Sequence, residues 1–177
     1  MSRLSSSRVL VWGVALLALL GFSPLATAAV VTWDISASPG ITGGSGSWDL
    51  TTANWTTDGG VTNQVWADND DAVFSIVGTG NIVTVNDAIK ANSVQFGSAG
   101  YTIAAGTGTF EMTGAAALTV NGNATISAAI TGSVGLNISG AAQLDLTAAA
   151  GNSYTGGTTI NGTTAVWGTI PPSAPAR

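Results

Sequence analysis

The second half of this chain is written in short pairs of apolar residues two positions apart: Val94 and Phe96, Phe110 and Met112, Leu118 and Val120, Leu136 and Ile138, Leu144 and Leu146. Gln95, Glu111, Thr119, Asn137 and Asp145 sit between the members of each pair, as a strand with one wet face requires. The runs are centred near residues 95, 102, 111, 119, 126, 137, 145, 159 and 166, roughly 7 to 14 residues apart. Gly, Ser, Asn and Ala separate them. No stripe of helical period is found beyond the N-terminal leader, so the chain after it reads as all-β.

Two all-β architectures compete for this pattern. Asn121-Gly122, inside ALTVNGNATIS (117 to 127), would ordinarily mark an antiparallel hairpin and hence a β-sandwich or barrel. In a β-solenoid the same dipeptide marks a corner, where Gly or Asn takes a left-handed conformation. Asn161-Gly162 carries the same ambiguity. The abundance of Gly, Ala, Thr and Asn tilts the reading toward the solenoid, because coils stacked ~4.8 Å apart bring like side chains together and small ones tolerate it.

The N-terminus has a different grammar. Arg3 and Arg8 form a basic region, Val9 to Phe22 an apolar core, and Ala26-Thr27-Ala28 an A-x-A site, so residues 1–28 read as an export signal cut after Ala28 or Ala29. A retained membrane anchor is the alternative, but the run falls short of the ~20 apolar residues of a spanning helix. Without the leader, two basic residues, Lys90 and Arg177, face nine acidic ones, which excludes a nucleic-acid partner. The chain has no Cys, so stability rests on packing and backbone hydrogen bonds.

LDLTAAAGNSYTGGTTINGTTAV, residues 144 to 166, resembles one copy of the autotransporter-associated β-strand repeat, or passenger-associated transport repeat. The matching motif residues are Asn152, Tyr154, Thr155, Gly156, Gly157, Thr158, Thr159, Ile160 and Asn161. Upstream, TWD (32 to 34), GSWDLTTANW (46 to 55), VWADNDDAVF (65 to 74), SVQF (93 to 96) and GYTI (100 to 103) resemble the regions that precede such repeats in exported bacterial proteins. The resemblance implies a right-handed parallel β-helix whose coils feed two or three long sheets. It also implies an architectural motif, with Gly156 and Gly157 permitting a bend, Tyr154 covering the corner, and Thr158 and Ile160 alternating across the next strand.

The expected organisation is a leader (1–28), a Trp-rich N-terminal cap with the first coils (29–92), β-helix coils (93–167) and a Pro/Ala-rich tail (168–177). Trp33, Trp48, Trp55 and Trp66 supply aromatic area for the cap. Pro171, Pro172 and Pro175 would block further strand pairing in the tail. With one recognisable repeat and no set of barrel-forming strands, the chain is not expected to be a complete autotransporter by itself. End-to-end association of weakly closed coils is an expected homotypic contact.

Two clusters could carry ligand chemistry. Asp68, Asp70 and Asp71, with Asn69, offer hard oxygen ligands for Ca2+, but the spacing fails both the EF-hand loop and the calcium-binding nonapeptide, so a solvated turn before a strand from Ala72 to Ile76 is expected. Trp48 and Trp55 could form a platform for a surface glycan, although burial under a cap is the expected role. Catalysis is not expected. The chain has no His or Cys, and adjacent Asp70 and Asp71 point to opposite faces of a strand, so they cannot flank one bond.

The sequence therefore supports a non-enzymatic exported structural or adhesive surface module, secreted or at a bacterial cell surface. It needs no cofactor and meets the export machinery and signal peptidase on its way out. A carbohydrate-binding or carbohydrate-processing β-helix is one alternative, and a truncated fragment of a longer repeat protein without independent function is another.

Overall fold

The computed structural model describes residues 27–77, 80–162, 165–168 and 170. The leader up to residue 26 and most of the tail lie outside the described residues. Within them the chain forms β1 (Val30–Trp33), β2 (Gly46–Trp48), β3 (Trp55–Thr56), β4 (Asp70–Phe74), β5 (Asn81–Val85), β6 (Ala88–Phe96) and β7 (Tyr101–Ala105). There follow β8 (Thr109–Val120), β9 (Ala124–Ile126), β10 (Ile130–Thr131), β11 (Leu136–Gly140), β12 (Gln143–Leu146), β13 (Thr158–Ile160) and β14 (Ala165–Gly168). No helix occurs among the described residues.

The strands fall into two sheets that the chain visits alternately. One runs β13-β11-β8-β6-β4-β1-β3, with β10 also on β8, and the other β14-β12-β9-β7-β5-β2. Among the described strands every strand-to-strand pairing is parallel except that of β3 with β1, and Trp55 of β3 also forms an isolated antiparallel bridge with Gln64. This is a parallel β-solenoid, and side-chain bonds between neighbouring coils commonly span 20 to 24 residues of sequence. The antiparallel sandwich is excluded by β8 and β9: although Asn121-Gly122 joins them, they lie in different sheets. The amides of Asn121 and Gly122 both donate to the Phe96 carbonyl of the preceding coil. A Cβ at Gly122 would collide with the Ser98 carbonyl carbon, so close approach rather than a left-handed backbone calls for glycine here. At Gly162, with φ of 83°, the left-handed reason does hold.

The predicted apolar pairs all point inward. Val94, Phe96, Phe110, Met112, Leu118, Val120, Leu136, Ile138, Leu144 and Leu146 are buried, and the polar residues between them face outward. In-register pairing stacks these side chains into ladders: Ala72, Val94, Leu118, Ile138 and Ile160 form one, and Val83, Ile103, Ile126 and Leu146 another. Phe74 stacks on Phe96 with ring centroids 5.4 Å apart and planes 17° from parallel.

Both β6 and β8 serve two stretches of the larger sheet. Ala88–Ala91 pair with Thr109–Met112, then the register shifts, and Ser93–Phe96 pair with Ala117–Val120. Gly114 and Ala116 take positive φ at the break in β8. The boundary expected at residues 92 and 93 thus falls within β6, at this break.

At the other end, β3 closes the edge of β1 through an antiparallel pair. Trp33, Trp48 and Trp55 are fully buried and Trp66 nearly so. Trp48, Trp55 and Trp66 pack with centroids 4.8 to 5.0 Å apart, against Phe74.

Because Leu118 sits in the middle of its ladder with no exposed surface, Leu118→Ala should lower stability by about 2–5 kcal/mol. Chemical denaturation followed by circular dichroism measures this, and a loss below about 1 kcal/mol contradicts the ladder.

Candidate functional site: the repeat-motif coil

The motif begins where its coil has no strand to place against β10. Asn152 fills the gap, its side-chain oxygen accepting the Ile130 amide at 2.9 Å. The backbone then takes over, with Ser153 N donating to Ile130 O and Thr155 N to Gly132 O. Tyr154 turns inward and is buried, and its hydroxyl lies 2.6 Å from Thr158 Oγ1. Burial pushes the Tyr154 phenol above its ordinary value, against the Thr158 hydrogen bond, so it remains neutral. The tyrosine is therefore a core side chain tethered across the bend rather than a cover over it.

The two glycines do different jobs. Gly157 has φ of 82° and passes its carbonyl to the Leu136 amide at 2.9 Å. Gly156 lies so close to the previous coil that a Cβ would collide with Gly135 N. β13 follows, with Thr158, Thr159 and Ile160 in register with Leu136, Asn137 and Ile138. Asn161 N closes the coil onto Ile138 O at 2.7 Å. Thr158 and Ile160 thus share the inward row while Thr159 faces out. Ile160 is nevertheless 46% exposed.

The acidic cluster differs from the expected solvated turn. β4 begins at Asp70, so Asp70 and Asp71 are strand residues, and Asp70 is only 7% exposed. Asn69, ahead of it, takes the left-handed conformation that Asn tolerates, φ 72°. Asp68 Oδ1 accepts the Lys90 amide, and Asp71 Oδ1 accepts Asn92 Nδ2 and Ser93 Oγ. Asp70 Oδ1 accepts the Ala29 amide at 2.9 Å. The three carboxylates therefore serve different neighbours and share none. Among the described residues no group of three or more His, Cys, Asp or Glu side chains is placed to hold a metal.

Burial, the role expected of Trp48 and Trp55, leaves no glycan platform. Stacking on a sugar needs an open ring face, and Trp48 and Trp55 have no exposed surface, each enclosed by other aromatic rings. A shallow outer groove is lined instead by Thr102, Thr125, Asn123, Gln143 and Asp145. Its one carboxylate, Asp145, accepts a hydrogen bond from Gln143 Nε2 at 2.8 Å.

Residue patterning did not single out the corner side chains. Asn92 Oδ1 accepts Ala115 N, Asn123 Oδ1 accepts Gln143 N, and Asp87 Oδ2 accepts Leu50 N. Each stands in for a backbone carbonyl where the ladder is interrupted. The signal that could have found them is an Asn or Asp just beyond the end of an alternating run.

Two loop carboxylates act similarly within the N-terminal coil. Burial opposes ionisation of Asp49, but donors from Ser47, Thr51 and Thr52 outweigh it and hold the acid well below the usual carboxylate range. The hydroxyl and amide of Thr62, with the Thr56 hydroxyl and the Val61 amide, do the same for Asp58.

No protein-family model matches the chain, and no solved structure matches it. Among curated proteins, the adhesin BmaC autotransporter of Brucella suis biovar 1 (strain 1330) is 33% identical over 137 residues. That alignment covers 75% of this chain and 4% of the adhesin, so the chain spans a small part of its relative's length. The fold and this similarity together define a parallel β-solenoid homologous to part of an autotransporter adhesin, consistent with a passenger-associated transport repeat protein.

Two outcomes are expected. Gly156→Ala should destabilise the protein more than Gly151→Ala, whose Cβ would meet open space although its positive φ adds strain; equal losses of Tm would contradict the close approach of the coils. The Asp49 and Asp58 bonds should persist at all pH above the unfolded carboxylate pKa of about 3.9 and be lost as pH falls through the lower folded values. Carboxyl-resolved NMR titration checks this, and midpoints at or above about 3.9 would contradict it.

Proposed function

We propose that this protein is a non-enzymatic, exported structural or adhesive module, a passenger-type β-solenoid fragment secreted from or presented at a bacterial surface. The observation that carries the reading is the similarity to an adhesin over three quarters of the chain. It agrees with how the polar side chains are used. Asn, Asp, Ser and Thr join one coil to the next, and the outer groove holds a single carboxylate with no paired acid or base to work with.

In this reading the leader passes the chain to the export machinery, and a signal peptidase removes it after Ala28 or Ala29. Coil ends with exposed inward-row residues such as Ile160 favour stacking on a second copy or on further coils. The polar side chains that join the coils give the surface repetition and shape rather than a reaction centre.

The test is expression of the full chain, fused ahead of a membrane-inserting barrel, in a non-adherent Gram-negative bacterium. The chain should become protease-accessible on intact cells and raise adherence to host cells or matrix above that of the barrel alone. Retention inside the cell with an intact leader would sink the exported reading; surface exposure without added adherence would leave the structural role and remove the adhesive one. Ile160→Lys should also reduce any concentration-dependent association seen by sedimentation, and unchanged association would contradict stacking through this edge.

A further inference from the structure

Asp70 poses an electrostatic problem that the folded coils leave open. Its carboxylate is nearly buried, and its hydrogen-bond donor is the neutral amide of Ala29, at 2.9 Å. Ala29 is pinned at this place from the other side as well, because its carbonyl accepts the Asp71 amide at 2.8 Å. Burial first, and the nearby Asp71 charge with it, push Asp70 above the usual carboxylate value, while the Ala29 amide works against them. Lys90 does not supply the missing charge, since its ammonium reaches Glu111 at 3.6 Å on the outer surface. A buried carboxylate with a neutral partner is costly, and a cation at the position of the Ala29 nitrogen would relieve that cost.

We propose that hydrolysis of the Ala28–Ala29 peptide bond completes the first coil by converting the Ala29 nitrogen into an α-ammonium that forms a part-buried ion pair with Asp70. The proposal rests on the exported reading above for its protease, and it selects one of the two cleavage positions that the A-x-A site allows. Thr27 and Ala28 are exposed, whereas Ala29 is part-buried against the core. In the reaction the Ala28 C–Ala29 N bond breaks. The hydroxyl of water goes to the Ala28 carbonyl carbon and a water proton to the nitrogen; the new carboxylic acid then gives up its proton, leaving a carboxylate on the leader and an ammonium on Ala29. The ammonium keeps the donor position of the amide it replaces and adds the charge. Cleavage one residue later would remove Ala29, and with it both bonds to β4.

The experiment has two arms. In the first, the full chain is exported from a Gram-negative bacterium and the mass of the processed product is read; a start at Ala29 is expected, and a start at Val30 overturns the proposal. In the second, residues 25–28 of the full chain are replaced by a protease recognition sequence that frees Ala29 in vitro without export. Release should raise Tm by about 4–8 °C. The gain should vanish in Asp70→Asn and after acetylation of the freed amine. A gain that survives either change, or no gain at all, overturns the ion pair. Absence of processing in cells alongside the full gain in vitro would contradict the exported reading while supporting the pair, so the two failures are distinguishable.

Discussion

Coil-to-coil backbone hydrogen bonding is the constraint on which the rest of this structure depends. A parallel strand cannot pair with its immediate neighbour in sequence, so each coil has to return about one circuit later in the same register. Phe96 with Val120, and Ile138 with Ile160, are products of that return. Once register is set, like positions stack, and the interior becomes columns of apolar side chains. The period-two pattern is then the only pattern compatible with burial, because a slip by one residue would turn every column outward.

Corners are where this economy breaks down, since a bending chain cannot keep its ladder intact. The protein answers with short polar side chains that imitate the backbone. Asn152 accepts the Ile130 amide in place of a missing strand, Asn92 accepts the Ala115 amide, and Asn123 accepts that of Gln143. Glycine enters where two coils come too close for a Cβ, as at Gly122 and Gly156. The composition that looked like an absence of chemistry is thus the chemistry of stacking. Gly, Asn and Thr are abundant because one coil meets the next at every corner.

What could be read from the sequence follows the same division. The inward residues of β6, β8, β11 and β12 were legible because alternation has one physical meaning in a half-buried strand. Asn121-Gly122 was not decisive, since a hairpin and a corner ask for the same small residues, and only the carbonyl of Phe96, distant in sequence, tells them apart. Asp70 was misread as part of a solvated turn because an acidic run looks hydrated until a long-range partner, Ala29, is placed on it. The tryptophans were legible as a buried cluster, and what sequence spacing does not reveal is that Trp48 and Trp55 leave no ring face open. Tyr154 was assigned to the right bend but to its outside, because the inward turn depends on its bond to Thr158.

Cross-linking across adjacent coils tests the parallel register most directly, and the absence of native cysteine makes it clean. Gln95 and Thr119 face outward as direct partners in β6 and β8. Gln95→Cys with Thr119→Cys should form an intramolecular disulfide under mild oxidation, since paired strands hold such positions within bridging distance. Thr119→Cys with Ala124→Cys, which a hairpin about Asn121-Gly122 would place opposite each other, should not. The reverse result, a bridge in the second pair and none in the first, would contradict the solenoid.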